Sequence, residues 1–255
     1  MGTFCLLSKG ESMGLAAAGQ ISDQDVYQQS SYVPSEKIGQ PYATPSGKVF
    51  VLGKAGGTLT AGQITEPVAV TANYATRTLT TAVAQYSNQV IVPLGTTASA
   101  DAFIGFWLVV TDGTGKGQGS YYITGNTAAT AGNSNTTTVT ISGGVNIALD
   151  TTSVVGIYPN QEITLIQHTA VLAIPCGGAP VINVTSGNYF WSQVGGYASI
   201  LSDGAITKNA EAIPSDATAG SVEIRVDATI ARAVGYAPEL TVTTKYSPLV
   251  LTLSN

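Results

Sequence analysis

Val222-Glu223-Ile224-Arg225-Val226-Asp227 places an apolar residue at every second position, with charges between. A period of two marks a β-strand with one face buried and the other in water. Thr136-Thr137-Thr138-Val139-Thr140-Ile141 repeats the pattern with threonine outside, where its branched Cβ suits a pleated surface. Near the C-terminus Leu249, Leu251 and Leu253 share one face, with Val250 and Thr252 opposite. Three continuous apolar runs, at residues 48–52, 90–92 and 104–110, predict strands covered on both faces. Residues 162–174 predict one long strand or two paired ones.

Turn chemistry separates these runs. Gly53-Lys54-Ala55-Gly56-Gly57, Asp112-Gly113-Thr114-Gly115-Lys116-Gly117, Ser142-Gly143-Gly144 and Ser202-Asp203-Gly204 supply residues that tolerate positive φ. Short strands at this spacing predict an all-β fold, an antiparallel β-sandwich or barrel. No segment after Gly47 keeps a helical period over a helix-length window, and no repeat of fixed period points to a propeller or solenoid. The β domain spans residues 44–255. Cys176-Gly177-Gly178-Ala179-Pro180 is a candidate boundary, near 177–180, between two small sub-barrels; a single barrel is the alternative.

Residues 1–43 read differently. Gly14-Leu15-Ala16-Ala17-Ala18-Gly19-Gln20 is a marginal helix, followed by a polar stretch with isolated aromatics and then Pro34 and Pro41. This composition predicts an extended arm that does not bury itself, with Leu6, Leu7, Val26, Tyr27 and Tyr32 as spaced anchors for a neighbouring subunit. On that reading, deleting residues 1–43 leaves the stability of the β domain unaltered. A loose leader is the alternative.

Composition narrows the function. Charged residues make up 10% of the 255-residue chain, against roughly 25% in ordinary soluble domains, while hydrophobic residues make up 44%. The net charge is −5, and no two of the ten Lys and Arg adjoin. Nucleic-acid binding relies on clustered cations that neutralise phosphates, so no nucleic-acid partner is expected. No apolar run approaches the ~18 residues of a membrane span, so no membrane partner is expected either. The start, Met1-Gly2-Thr3-Phe4-Cys5-Leu6-Leu7, lacks a basic region before its short apolar stretch, which predicts synthesis in a cytoplasm without an export signal. Cys5 and Cys176 are expected as free thiols.

No constellation for chemistry stands out. Gly113 to Ser120 fails the spacing of a phosphate loop and leads into a strand, so it reads as a hairpin tip. His168 is the single histidine and sits in the apolar context of Leu165-Ile166-Gln167-His168, which predicts a packed side chain and not a catalytic base. Asp101, Asp112, Asp203 and Asp216 fall in turns, where Asp bonds its own backbone. No metal site, cofactor or enzymatic activity is expected. Asn188-Tyr189-Phe190-Trp191 is the densest aromatic cluster; Tyr189 and Trp191 share a face, for core packing or, on the functional reading, an intersubunit contact.

Four segments resemble the head decoration, or capsid cement, proteins encoded beside the major capsid protein of tailed bacteriophages. They are Thr44 to Phe50 with Gly53-Lys54-Ala55-Gly56-Gly57-Thr58-Leu59-Thr60-Ala61-Gly62-Gln63; Leu108-Val109-Val110-Thr111-Asp112-Gly113-Thr114-Gly115-Lys116-Gly117-Gln118; Thr185 to Trp191 running into Gly195-Gly196-Tyr197-Ala198; and Gly235-Tyr236-Ala237 to Leu253. The resemblance implies a structural virion protein on the outer surface of a capsid, clamping major capsid protein subunits, commonly as a homotrimer. It implies no catalytic residues. An acidic surface suits the outside of a shell better than its DNA-facing lining. The alternative is a receptor-binding tail fibre or spike domain, which would carry an aromatic carbohydrate groove or a repetitive shaft. A secreted hydrolase or adhesin is a third, weaker fit.

Overall fold

The computed structural model describes residues 19–32, 38–68, 72–160, 164–170, 177–226 and 232–253. The strands run in chain order as β1 (Gly19–Gln20), β2 (Gln29–Ser30), β3 (Pro41–Ala43), β4 (Val49–Lys54), β5 (Thr65–Pro67) and β6 (Arg77–Thr78). They continue as β7 (Gln89–Pro93), β8 (Trp107–Asp112), β9 (Ser120–Asn126), β10 (Thr136–Ile141), β11 (Val154–Tyr158) and β12 (Leu165–Gln167). The last six are β13 (Ala179–Pro180), β14 (Tyr189–Ser202), β15 (Glu211–Pro214), β16 (Val222–Ile224), β17 (Gly235–Tyr236) and β18 (Lys245–Thr252). Helix among the described residues is confined to short 3-10 turns, so the expected all-β class holds.

The strands form two barrels. In the first, the order β6-β11-β8-β9-β10-β7 curls until β6 and β7 approach each other, leaving the sheet nearly closed. In the second, β14-β16-β15-β17-β18 closes fully, because β18 pairs back onto β14. Pairing is antiparallel apart from β1 with β3 and β14 with β16.

Alternation decides which residues fill each barrel. Along β10, Thr137, Val139 and Ile141 point inward, and Thr137 keeps its hydroxyl satisfied on the Thr127 carbonyl at 2.6 Å. They meet Val90, Val92, Leu108, Ile123, Val155 and Ile157 in the core of the first barrel. Leu249 and Leu251 on β18, Ile200 on β14, Ala212 on β15 and Val222 on β16 fill the second.

The six-stranded barrel is an insertion. β5 and β12 pair antiparallel, with Leu165 opposite Pro67 and Gln167 opposite Thr65, so the chain leaves for residues 77–158 and returns to the same place. β14 then runs through both units. Its first half pairs with β4 and turns Tyr189 and Trp191 toward the core of the first barrel; its second half is a stave of the other. The change of direction falls at Val194, the extra residue of a bulge between Gln193↔Phe50 and Gly195↔Val49, where the ladder bends and twists more strongly.

Several expectations change in detail. Residues 104–110 are not one strand: the chain turns at residues 101–105, and Phe103 and Phe106 are buried in the first core, Phe103 edge-on to Tyr74 at 5.0 Å. Ile91 faces outward and is half-buried, so β7 is covered on one face only. In residues 162–174 the short β12 is the described strand, paired with distant β5. The arm needs the largest correction. Its described part is threaded into the fold: β2 pairs with β14, β3 with β4, and Val26 and Ile38 are buried in the first core. The polar stretch reads as unable to fold because key partners, β14 for β2 and Thr185 and Asn188 for Gln29, lie more than a hundred residues away.

Candidate functional site

The second half of β14 and the facing β18 form a two-stranded ribbon whose inner side chains close the barrel core. Alternation therefore turns Tyr197, Ser199 and Leu201 outward on β14, and Tyr246, Pro248 and Val250 outward on β18. The register places Tyr197 opposite Val250, Ser199 opposite Pro248 and Leu201 opposite Tyr246. Tyr197 and Tyr246 thus stand four residues apart along the ribbon, roughly 13 Å at strand rise, with the low pair Ser199 and Pro248 between.

A loop at residues 60–63 and a turn of the N-terminal segment wall this floor. Gly62 accepts from Leu201 N–H at 2.9 Å and donates to Pro180 O at 2.8 Å. Its φ is +71°, and a Cβ there would lie 2.6 Å from Ser199 O and 2.8 Å from the Tyr246 ring, so glycine lets the loop sit against the ribbon. The turn Asp25–Tyr27 buries Val26, which throws Tyr27 outward beside the floor. Gln29 fastens the segment: its Oε1 accepts from Thr185 N and Asn188 Nδ2, both at 2.9 Å, and its Nε2 donates to Asn183 O at 3.2 Å. Asn183 in turn accepts from Ala61 N–H at 2.9 Å.

The result is an open groove of about 780 Å³, within the roughly 300–1,000 Å³ of small-molecule clefts. Tyr27, Tyr197 and Tyr246 line it and are 54%, 62% and 50% exposed. Among the described residues, Lys48 is the one charged side chain in its wall; the rest is neutral and hydroxyl- or amide-bearing, or apolar.

A second polar cluster lies under the barrel. His168 Nδ1 sits 2.7 Å from Glu66 Oε2 and Nε2 sits 3.1 Å from Ser215 O, with both side chains buried. Glu66 also accepts from Thr169 N–H at 3.2 Å and Thr169 Oγ1 at 2.8 Å. The Ser215 hydroxyl is turned away, donating to Asp203 Oδ2 at 2.6 Å, so no hydroxyl stands on the imidazole as in a Ser-His arrangement. Hydroxyls from Ser215 and Thr218 hold the Asp203 carboxyl below its ordinary pKa. Burial, and then the negative charge of Asp216, push Glu223 up. Among the described residues no group of three or more His, Cys, Asp or Glu could hold a metal ion.

The residues expected to carry contacts fall in three groups. Leu6 and Leu7 lie outside the described residues, as do Cys5 and Cys176, expected as free thiols. Val26, Tyr189 and Trp191 are buried in their own chain, Tyr189 beneath Lys54 at 5.3 Å and Trp191 edge-on to Tyr42 at 5.2 Å, so they offer little to a second subunit. Tyr27 and Tyr32 are exposed, and only Tyr27 reaches the groove. Tyr197 and Tyr246 escape the sequence reading, although Tyr246, Pro248 and Val250, all uncharged, sit opposite the Leu249 and Leu251 face. The Gly113–Gly119 stretch is the β8–β9 hairpin tip, as expected.

No protein family, curated protein or solved structure matches the chain.

Proposed function

We propose that the chain is a structural virion protein that binds the outside of a phage capsid and stabilises contacts between major capsid subunits, as a homotrimer. The observation that carries this reading is the outer face of the closed barrel. Val250 is paired on one side with Tyr197 and on the other with Tyr236, and the Leu201–Tyr246 pair lies four residues along the same face, beyond Ser199–Pro248. None of these five is charged, and four of them are large apolar or aromatic side chains with exposed or half-exposed surface beside a fifth, Val250. Apolar, aromatic faces of this kind mark protein contacts, where charge is depleted and tyrosine enriched. Modest contacts repeated by symmetry suffice to reinforce a shell. The quoted resemblance and the net charge of −5 support the same placement.

Antibody labelling of purified virions, imaged by electron microscopy, tests the reading. Label over the head is the expected outcome. Label at the tail supports the second reading, a receptor-binding fibre or spike domain, which the aromatic groove favours. Virions without label on either part refute both. Light scattering of the purified protein is expected to give three times the 26.0 kDa of one chain.

A further inference from the structure

We infer that the groove on the β14–β18 ribbon is a binding site for a short, neutral oligosaccharide. Three tyrosines keep half or more of their surface in water around one depression, although aromatic side chains gain most by burial. Their flat faces suit the C–H faces of sugar rings, and their hydroxyls, with Thr60 and Ser199, supply donors and acceptors around the ring edges. The offset of four residues between Tyr197 and Tyr246 leaves a low floor of Ser199 and Pro248, a span that a chain of sugars bridges and a single sugar does not.

The electrostatics favour the same ligand. Among the described residues, one lysine and no carboxylate line the wall, which gives a charged peptide or nucleotide little to pair with, whereas a neutral ligand needs no countercharge. The main chain of the floor is taken up by the β14–β18 ladder and by Gly62, which holds Leu201 N–H, so recognition falls to side chains and not to strand addition. The site is already shaped: Gln29, Asn183 and Gly62 fix its walls through hydrogen bonds within the chain, which limits the entropy lost on binding. Tyr197 and Tyr246 also belong to the face proposed to contact the capsid, so the inference is tested on the isolated chain, where that face is uncovered.

Isothermal titration of the full chain with maltohexaose, cellohexaose, chitotetraose and a mannose oligomer tests it. At least one probe is expected to bind with a Kd at or below about 1 mM. Tyr197→Ala is expected to weaken that binding about tenfold or more, Tyr197→Phe to restore most of it, and Tyr86→Ala, an exposed tyrosine outside the groove, to change nothing. Circular dichroism of each variant confirms that the fold persists. The inference is overturned if no probe binds at about 10 mM. It is equally overturned if binding survives the double substitution Tyr197→Ala and Tyr246→Ala. If Tyr197→Ala instead changes the mass measured by light scattering without affecting any sugar, the groove is a contact between copies and the inference fails.

Discussion

Glu66 and His168, separated by 102 residues in sequence, meet at 2.7 Å inside the protein, with Thr169 on the same carboxylate and Ser215 O on the far ring nitrogen. One ring nitrogen meets the Glu66 carboxyl and the other the Ser215 carbonyl, so both polar ends of the buried imidazole have a partner. The pair ties β5 to the end of β15 and thereby seats the closed barrel on the β5–β12 sheet.

Breaking this pair from one side is expected to be costly. His168→Leu leaves the buried Glu66 carboxyl without its His168 partner, at about 1–3 kcal/mol. The double substitution Glu66→Leu and His168→Leu is expected to cost less than the two single losses combined, since it removes both polar groups together. Urea denaturation of the four proteins measures the cycle; a single loss below about 1 kcal/mol shows that the clasp is idle.

The threaded N-terminal segment is part of the core. Ile38→Ala is expected to cost roughly 2–4 kcal/mol, and deletion of residues 1–43 to lower the melting temperature, because both remove side chains from the first barrel's cluster. This replaces the expectation from sequence that the deletion leaves stability unaltered. Scanning calorimetry decides between them.

Gly62→Ala is expected to destabilise by about 1–3 kcal/mol, through a positive φ and a Cβ pressed on Ser199 O. It also displaces the Tyr246 ring, so the same variant disturbs the groove. An unchanged melting temperature shows that the loop relaxes freely.

Asp150 lies half-buried in the turn before β11, where hydroxyls of Thr152 and Thr114 and the Thr152 N–H hold its pKa down at about 2, below the ordinary 3.8. A carboxyl depressed in the folded state adds stability above the unfolded value, and that stability is lost as pH falls from 3.8 towards 2. Asp150→Asn is therefore expected to melt lower than the parent at pH 6 and to converge with it near pH 2. Parallel melting curves across pH that never converge argue that the effect is not titration of this group.

Local pattern made much of the fold legible. Thr136–Ile141, Val222–Ile224 and Leu249 with Leu251 each show which face is buried, because a period of two needs no knowledge of the partner strand. What depended on distant pairing was hidden. Val26 reads as a lone apolar residue in polar sequence until the core it enters is folded. Ile104 to Val110 reads as a strand because a turn buried in the core needs the same apolar residues as a buried strand. Tyr197 looks like part of an aromatic strand interior, and only its register against β18, after the bulge at Val194, turns it to solvent.

The insertion of residues 77–158 between two strands that pair with each other dictates an order of assembly. Leu165 cannot find Pro67 cheaply while the intervening chain is a coil, since closing a loop of that length carries an entropy penalty that precedes any contact. Hairpins within the insert, such as β8 with β9, need only short loops and form sooner. Once the insert is folded its ends stand close, the β5–β12 pair follows, and β14 can then dock on β4 and close the second barrel. Pulse-labelled hydrogen exchange during refolding is expected to protect Leu108 and Ile123 before Ile166 and Ile200. On that order the six-stranded barrel is expected to act as a template, forming ahead of the segments that Val26, Ile38, Tyr189 and Trp191 then seat against it.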